Sequence, residues 1–168
     1  MINGDIRNVM PILLRFEIPK ELKKGSIVYL QNVVTDLLLG LKGGERIILS
    51  YVDMILKLGY KPGVITLNPG QFNHKLGKLL MDRDIVLCFN INMSGFNVFP
   101  SKSSVEKTIL ELKELTNWDL MGMSILSSGK RDVSIKDSFD YIKKLHLDYI
   151  VFGSSRLSHV ESNLEYFK

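Results

Sequence analysis

Three asparagines stand where apolar runs give way to turns: Asn68 after Val64-Ile65-Thr66-Leu67, and Asn90 and Asn92 at the end of 84–92. Asparagine is depleted from strands, so each must find a partner for its carboxamide. A ring of carboxamides, with donors and acceptor on each, suits a polar ligand; the competing role is bonding to loop backbone. Asn32, after the first apolar run, and Ser124, inside 119–126, join this set as candidate substrate-binding residues. A second constellation is Gly153-Ser154-Ser155-Arg156. Glycine admits close backbone approach, two hydroxyls donate, the amides of a following helix point at an anion, and Arg156 adds a charge-assisted donor suited to phosphate. The same Gly-Ser-Ser also reads as an ordinary helix cap. Gly129, Lys130 and Arg131 lie in the preceding loop, as helpers or as solvated charges. Asp36 suits either a general base or a cap.

Other chemistries lack their residues. His74, His146 and His159 show no zinc-site spacing, and surface or packing roles are expected for all three. No metal is expected. Gly40, Gly43 and Gly44 precede a helical segment without the rest of a phosphate loop or dinucleotide fingerprint. Cys88 is the one cysteine and sits in an apolar run, which fits a buried thiol in a reducing cytoplasm. No apolar run approaches the roughly 20 residues of a membrane span, and residues 1–15 do not read as a signal peptide. The 22 Lys and Arg exceed the 18 Asp and Glu by a net +4, but they are spread along the chain, with Lys20, Lys23 and Lys24 as the densest cluster. Nucleic-acid binders concentrate charge on one face, so no nucleic-acid partner is expected.

The elements that must position these residues alternate. With 168 residues, 45% hydrophobic and 24% charged, a single globular domain is expected. Strands are expected over 26–34, 63–68, 84–92, 119–126 and 148–153. Helices are expected over 44–59, 71–81, from Ser101 or Ser103 to about Leu115, from Ser134 to Leu145, and after Ser155. Ser103 with Glu106 has capping-box spacing, and Gly59 suits a helix end. The final helix is expected to turn Leu157, Val160, Leu164 and Phe167 inward. Residues 26–168 thus make five βα units behind an N-terminal segment, 1–25, whose amphipathic stretch Ile6–Phe16 contains Pro11. The expected fold is α/β with a parallel sheet: five consecutive units of an incomplete (β/α) TIM barrel, or alternatively an open doubly wound sheet. Either architecture places ligands at the carboxyl ends of the strands.

The last units carry a resemblance. Met121-Gly122-Met123-Ser124-Ile125-Leu126-Ser127-Ser128-Gly129, then Tyr149-Ile150-Val151-Phe152-Gly153-Ser154-Ser155, then His159-Val160-Glu161-Ser162-Asn163-Leu164 resemble the end of an aldo-keto reductase-like barrel. Residues 90–101, with Gly95-Phe96 and Pro100-Ser101, resemble less-characterised members of that superfamily. The resemblance covers about residues 60–168. It implies NADP or NAD as cofactor, with Gly153, Ser154, Ser155 and Arg156 at a phosphate and Glu161 and Asn163 toward the adenine. The family's catalytic Asp, Tyr and Lys come from early units that have no counterpart here, and its catalytic His falls where this chain has Gln31 and Asn32.

Three functional readings follow. One is a reductase-related partial barrel that binds a phosphorylated small molecule. The second is an assembly module, a homo-oligomer whose sheet edges are covered by another copy. The third is a piece of a longer barrel oxidoreductase.

Overall fold

Each strand pairs in parallel with its neighbour in sequence. The structure, a computed structural model, describes residues 17–129 and 133–167. The order of elements is β1 (Ile27–Leu30), α1 (Asn32–Gly40), α2 (Gly44–Lys57), β2 (Lys61–Thr66), α3 (Pro69–Leu80), β3 (Val86–Asn90), α4 (Lys102–Leu115), β4 (Asp119–Met123), α5 (Ile135–Lys144), β5 (Tyr149–Ile150) and α6 (Leu157–Leu164). The sheet order β1-β2-β3-β4-β5 never reverses. A doubly wound sheet has a reversal at its switch point. With right-handed crossovers, an unreversed order puts every helix on one face of the sheet, as in consecutive units of a β/α barrel.

Local signals set the boundaries. Ser101 caps α4, its hydroxyl accepting from the Ser104 amide at 3.2 Å, and Ser134 caps α5 by accepting from Asp137 N at 3.0 Å. The expected capping box at Ser103 does not form, because Glu106 instead accepts a 2.7 Å hydrogen bond from Tyr141. Gly59 ends α2's turn at φ 79, a conformation that favours glycine. The first strand is shorter than expected. Val33 and Val34 read as β-branched strand residues, but the chain turns helical at Asn32, and Thr35 closes the first turn through Gln31 O at 3.0 Å. Apolar spacing at Val33, Leu37 and Leu41 served a helix as well as a strand. β4 ends at Met123 because Ser124 adopts φ 58, and only Tyr149–Ile150 of the expected fifth strand is extended in the ladder.

The core lies between sheet and helices. Register puts Val64, Leu87 and Leu120 at one level of the helix-facing side, with Phe89 on the same side, packed against buried residues such as Tyr51, Phe72 and Ile109. Trp118 stacks edge-on to Phe72 at 5.7 Å and donates its indole N–H to Leu80 O at 2.9 Å. Tyr51 donates to Val28 O at 2.6 Å.

The other sheet face carries Tyr29, Gly63, Cys88 and Met121. The Tyr29 hydroxyl reaches from β1 to Met121 Sδ on β4, 3.2 Å away. Burial pushes the Tyr29 hydroxyl up to about 12, with Cys88, Tyr149 and Asp119 adding and Lys61 opposing. Burial likewise pushes the Cys88 thiol up to about 12, so it is a packing residue and a poor nucleophile. At the base of this face Lys61 Nζ lies 2.6 Å from both Asp84 and Asp119. A Cβ on Gly63 would sit 2.4 Å from the Tyr29 ring and 2.8 Å from Ile27. Gly63→Ala is therefore expected to cost about 1–3 kcal/mol by overpacking, and part of that cost disappears in a Tyr29→Ser background, the close approach to Ile27 remaining. Equal losses in both backgrounds, in denaturant titrations, would contradict the contact.

Candidate functional site

The carboxyl ends of β4 and β5 carry two loops of unusual backbone. In the loop after β4, Ser124, Ser127 and Ser128 all have positive φ (58, 52 and 55), followed by Gly129 at 79. Each non-glycine residue in this region costs about 1–2 kcal/mol, so the loop must be held from outside. It is: Ser124 Oγ donates to Asn90 Oδ1 at 2.9 Å, and the buried Ser127 hydroxyl lies 2.9 Å from Ser94 Oγ. After β5, Gly153 and Ser154 turn the chain toward α6, and Ser154 Oγ accepts from Arg156 N at 3.2 Å.

Between these loops and α6 lies a cleft of about 580 Å³. Its polar wall comprises Ser124, Ser128, Ser154, His159, Ser162 and Asn163; Met123, Ile125, Leu126, Ile135 and Val151 form the apolar wall. Among the described lining residues none is Asp, Glu, Lys or Arg. Lys130 and Arg131, which follow Gly129 directly, lie outside the described residues.

Asn163 is the informative member. It is 3% exposed and lines the cleft, and its carboxamide has no hydrogen-bond partner among the described residues. Among the described residues, no side-chain polar atom fully sealed from solvent lacks a partner, so Asn163 keeps its small access through the cleft wall. Orienting a bare carboxamide inward costs about 1–3 kcal/mol unless something bonds it. The inward face of α6 also differs from expectation. Leu157 and Leu164, expected inside, are 73% and 49% exposed, whereas Asn163 is buried and Tyr166 just beyond the helix stacks on Phe139 at 5.1 Å. The side chain of Phe167 lies outside the described set.

The other candidates are placed as follows. Asn92 is fully buried; its Nδ2 donates to Phe96 O at 2.8 Å and its Oδ1 accepts from Phe96 N at 3.0 Å. Asn90 donates to Asn97 O at 2.9 Å while accepting from Ser124. Asn68 caps α3, accepting from Gln71 N at 3.0 Å. These three carboxamides are engaged by the protein itself. Asn68 and Asn90 also line a second cleft of about 600 Å³ above β2 and β3, together with Asp36, Gln71, Asn97 and Phe99. Asp36 is a loop holder: it accepts from Thr66 Oγ1 at 2.5 Å and from Leu67 N at 3.0 Å. Asn32 is the first residue of α1 at the opposite edge of the sheet, remote in strand order from β5. Ser155 and Arg156 are exposed and do not line the cleft.

Two cleft residues escaped the sequence reading, His159 and Ser162. Their signal was the i, i+3, i+4 spacing His159–Ser162–Asn163, which puts three polar groups on one helical face. The neighbouring leucines masked it. Among the described residues, no group of three or more His, Cys, Asp or Glu is arranged to hold a metal ion, and no helix is long and apolar enough to cross a membrane. Comparison with protein-family models, curated proteins and solved structures finds no match to this chain.

Proposed function

We propose that the cleft above β4 and β5 binds a phosphorylated small molecule, with a nicotinamide nucleotide, NADP or NAD, as the leading ligand. The observation that carries this reading is Asn163: a buried carboxamide on the wall of a cleft, with no partner among the described residues, is a group that can take a hydrogen bond from a ligand. Three further features support it. Gly153 leaves open space where a Cβ would stand, with no atom within 4 Å, so a ligand can approach the backbone. Ser128 and Ser154 both line the cleft, and their hydroxyls can donate to phosphate oxygens. Apolar side chains of Met123, Leu126, Ile135 and Val151 give a ring system a surface to lie on.

The resemblance to the aldo-keto reductase-like barrels agrees with the ligand class and with the end of the sheet. The proposal is one of binding, because the units that carry the family's catalytic Asp, Tyr and Lys have no counterpart in this sequence. The setting we propose is the cytoplasm, where Cys88 stays reduced. Thermal unfolding in the presence of NADP, NAD, AMP and inorganic phosphate tests the reading. A ligand at 100 times its Kd stabilises by about 2.7 kcal/mol, which for this size raises Tm by roughly 5–10 °C. A flat response to all four compounds at millimolar concentration sinks it.

A further inference from the structure

The second cleft, of about 600 Å³ above β2 and β3, carries different chemistry from the first. Its lining combines one carboxylate (Asp36), the carboxamides of Asn68, Gln71 and Asn97, and the ring of Phe99. Among the described residues no Lys, Arg or His lines it. We propose that this cleft binds an uncharged nucleoside whose base carries an amino group, adenosine being the model compound. The base stacks on Phe99, its amino group donates to Asp36, and a carboxamide reads the edge of the ring. This site is independent of the phosphate reading of the first cleft.

Asp36 decides the charge of the ligand. Each of its oxygens accepts one bond, from Thr66 Oγ1 at 2.5 Å and from Leu67 N at 3.0 Å. Both donors are neutral, and a carboxylate offers about four acceptor positions. The group therefore keeps its negative charge unpaired and has room for a donor from the cleft. A phosphate or carboxylate on the ligand is repelled by it, whereas an amino N–H is a matched partner.

The carboxamides select a base over a simple amine. Asn68 Nδ2 stands 3.4 Å from Gln71 Oε1, and Gln71 Nε2 stands 3.5 Å from Leu39 O. Both separations exceed the roughly 3.2 Å of an ordinary N–H···O bond, so these groups exchange partners at small cost. The Asn97 side chain is exposed and makes no hydrogen bond among the described residues, while its backbone is pinned by Asn90 Nδ2, which donates to Asn97 O at 2.9 Å. A carboxamide donates and accepts side by side, which matches the amino group and neighbouring ring nitrogen of adenine. An ammonium ion only donates and leaves the amide N–H groups unused. Phe99 supplies the stacking surface: its ring is 55% exposed at the cleft, beside the partly exposed Leu67. Three apolar side chains (Leu67, Val98 and Phe99) with polar groups among them suit a flat ring that is apolar on its faces and polar at its edge.

Amide-resolved NMR titration with adenosine and inosine tests the site. With adenosine, the resonances of Gln71, Asn97 and Phe99 are expected to shift and saturate, while Gly153 and Asn163 in the first cleft stay fixed. Inosine carries an oxo group in place of the amino group and turns an acceptor toward Asp36, so it is expected to bind more than about tenfold more weakly. Phe99→Leu removes the ring at a position more than half exposed, so the fold is kept, and is expected to weaken adenosine binding by roughly 5- to 150-fold. Asp36→Asn has the same shape and still accepts from Leu67 N; it is expected to abolish the preference for adenosine over inosine. The comparison of the two nucleosides on the unaltered chain tests the same contact without any substitution. Absence of a saturable shift at Gln71 and Phe99 overturns the proposal, as do equal affinities for the two nucleosides, a preference that survives Asp36→Asn, or shifts at Gly153 and Asn163 in place of those at Gln71 and Phe99. A first cleft that binds no phosphate leaves every one of these expectations in place.

Discussion

Asn163→Leu is expected to weaken nucleotide binding by about 1–3 kcal/mol, roughly 5- to 150-fold in Kd, while leaving the free protein as stable as before or more so. The reasoning is asymmetric. A carboxamide inside a protein without a hydrogen-bond partner carries a desolvation cost that folding does not recover. Asn163 is close to that position: 3% exposed, with no partner for its carboxamide among the described residues and only a small access to solvent through the cleft. Leucine, branched at Cγ as asparagine is, removes the cost, and the free protein gains up to about 2 kcal/mol. For 168 residues this is a rise in Tm of roughly 4–8 °C. The bound state loses the one hydrogen bond for which the side chain was placed. Stability up and affinity down, from one substitution, is the signature of a group kept for a ligand. If Asn163→Leu instead lowers Tm, the residue holds the protein together and the site loses its main support.

The same chemical change at Asn92 is expected to act in the opposite direction. Asn92 is fully buried with both ends of its carboxamide engaged: donation to Phe96 O, acceptance from Phe96 N, and a contact with Ser94 Oγ at 3.0 Å. Leucine there leaves the Phe96 carbonyl with one fewer donor and frees Ser94, which also touches Ser127. Three hydrogen bonds are lost at about 0.5–1.5 kcal/mol each, so a total loss of about 2–4 kcal/mol is expected. The damage spreads further than the side chain. Ser127 is one of three serines held at positive φ, and Ser94 and Asn90 are the anchors that keep that loop in place. Calorimetric unfolding of Asn92→Leu is expected to show a drop in Tm of roughly 5–15 °C. A variant as stable as the unaltered chain would mean that this carboxamide is not structural, and would return it to the set of ligand-binding candidates.

The contrast between Asn163 and Asn92 shows how much of the site the sequence carries. Alternation of apolar runs with amphipathic segments made five parallel βα units legible, because a period of 3.6 against a continuous apolar run is a property of single segments. The same is true of the caps at Ser101 and Ser134. The cleft lies at the carboxyl ends of β4 and β5, which is where the fold class directs the search for a ligand. Which asparagine faces a cleft and which is tied to loop backbone did not follow. Asn68, Asn90, Asn92 and Asn163 are the same residue in similar surroundings of sequence; only tertiary partners distinguish them. The helical face of α6 was misread for a related reason. Leu157 and Leu164 are the apolar residues, and burial was assigned to them by type. The structure turns them outward and turns His159, Ser162 and Asn163 to the cleft. A helix that points its polar face inward departs from the usual pattern, and such departures concentrate at functional sites. The first strand failed by a different route. Val33 and Val34 have strand propensity, but the Thr35 amide and hydroxyl both donate to Gln31 O, and the spacing of Val33 and Leu37 suits a helix.

The most direct measurement is an amide-resolved NMR titration of the protein with NADP. The resonances of Gly129, Gly153, Ser154 and the Asn163 side chain are expected to shift together and saturate, while Gly25 and Gly59 at the opposite end of the sheet stay fixed. Shifts confined to Gln71 and Phe99 would move the ligand to the cleft above β2 and β3. No saturable shift at Gly153 or Asn163, with NADP or with inorganic phosphate, would contradict the account at its centre.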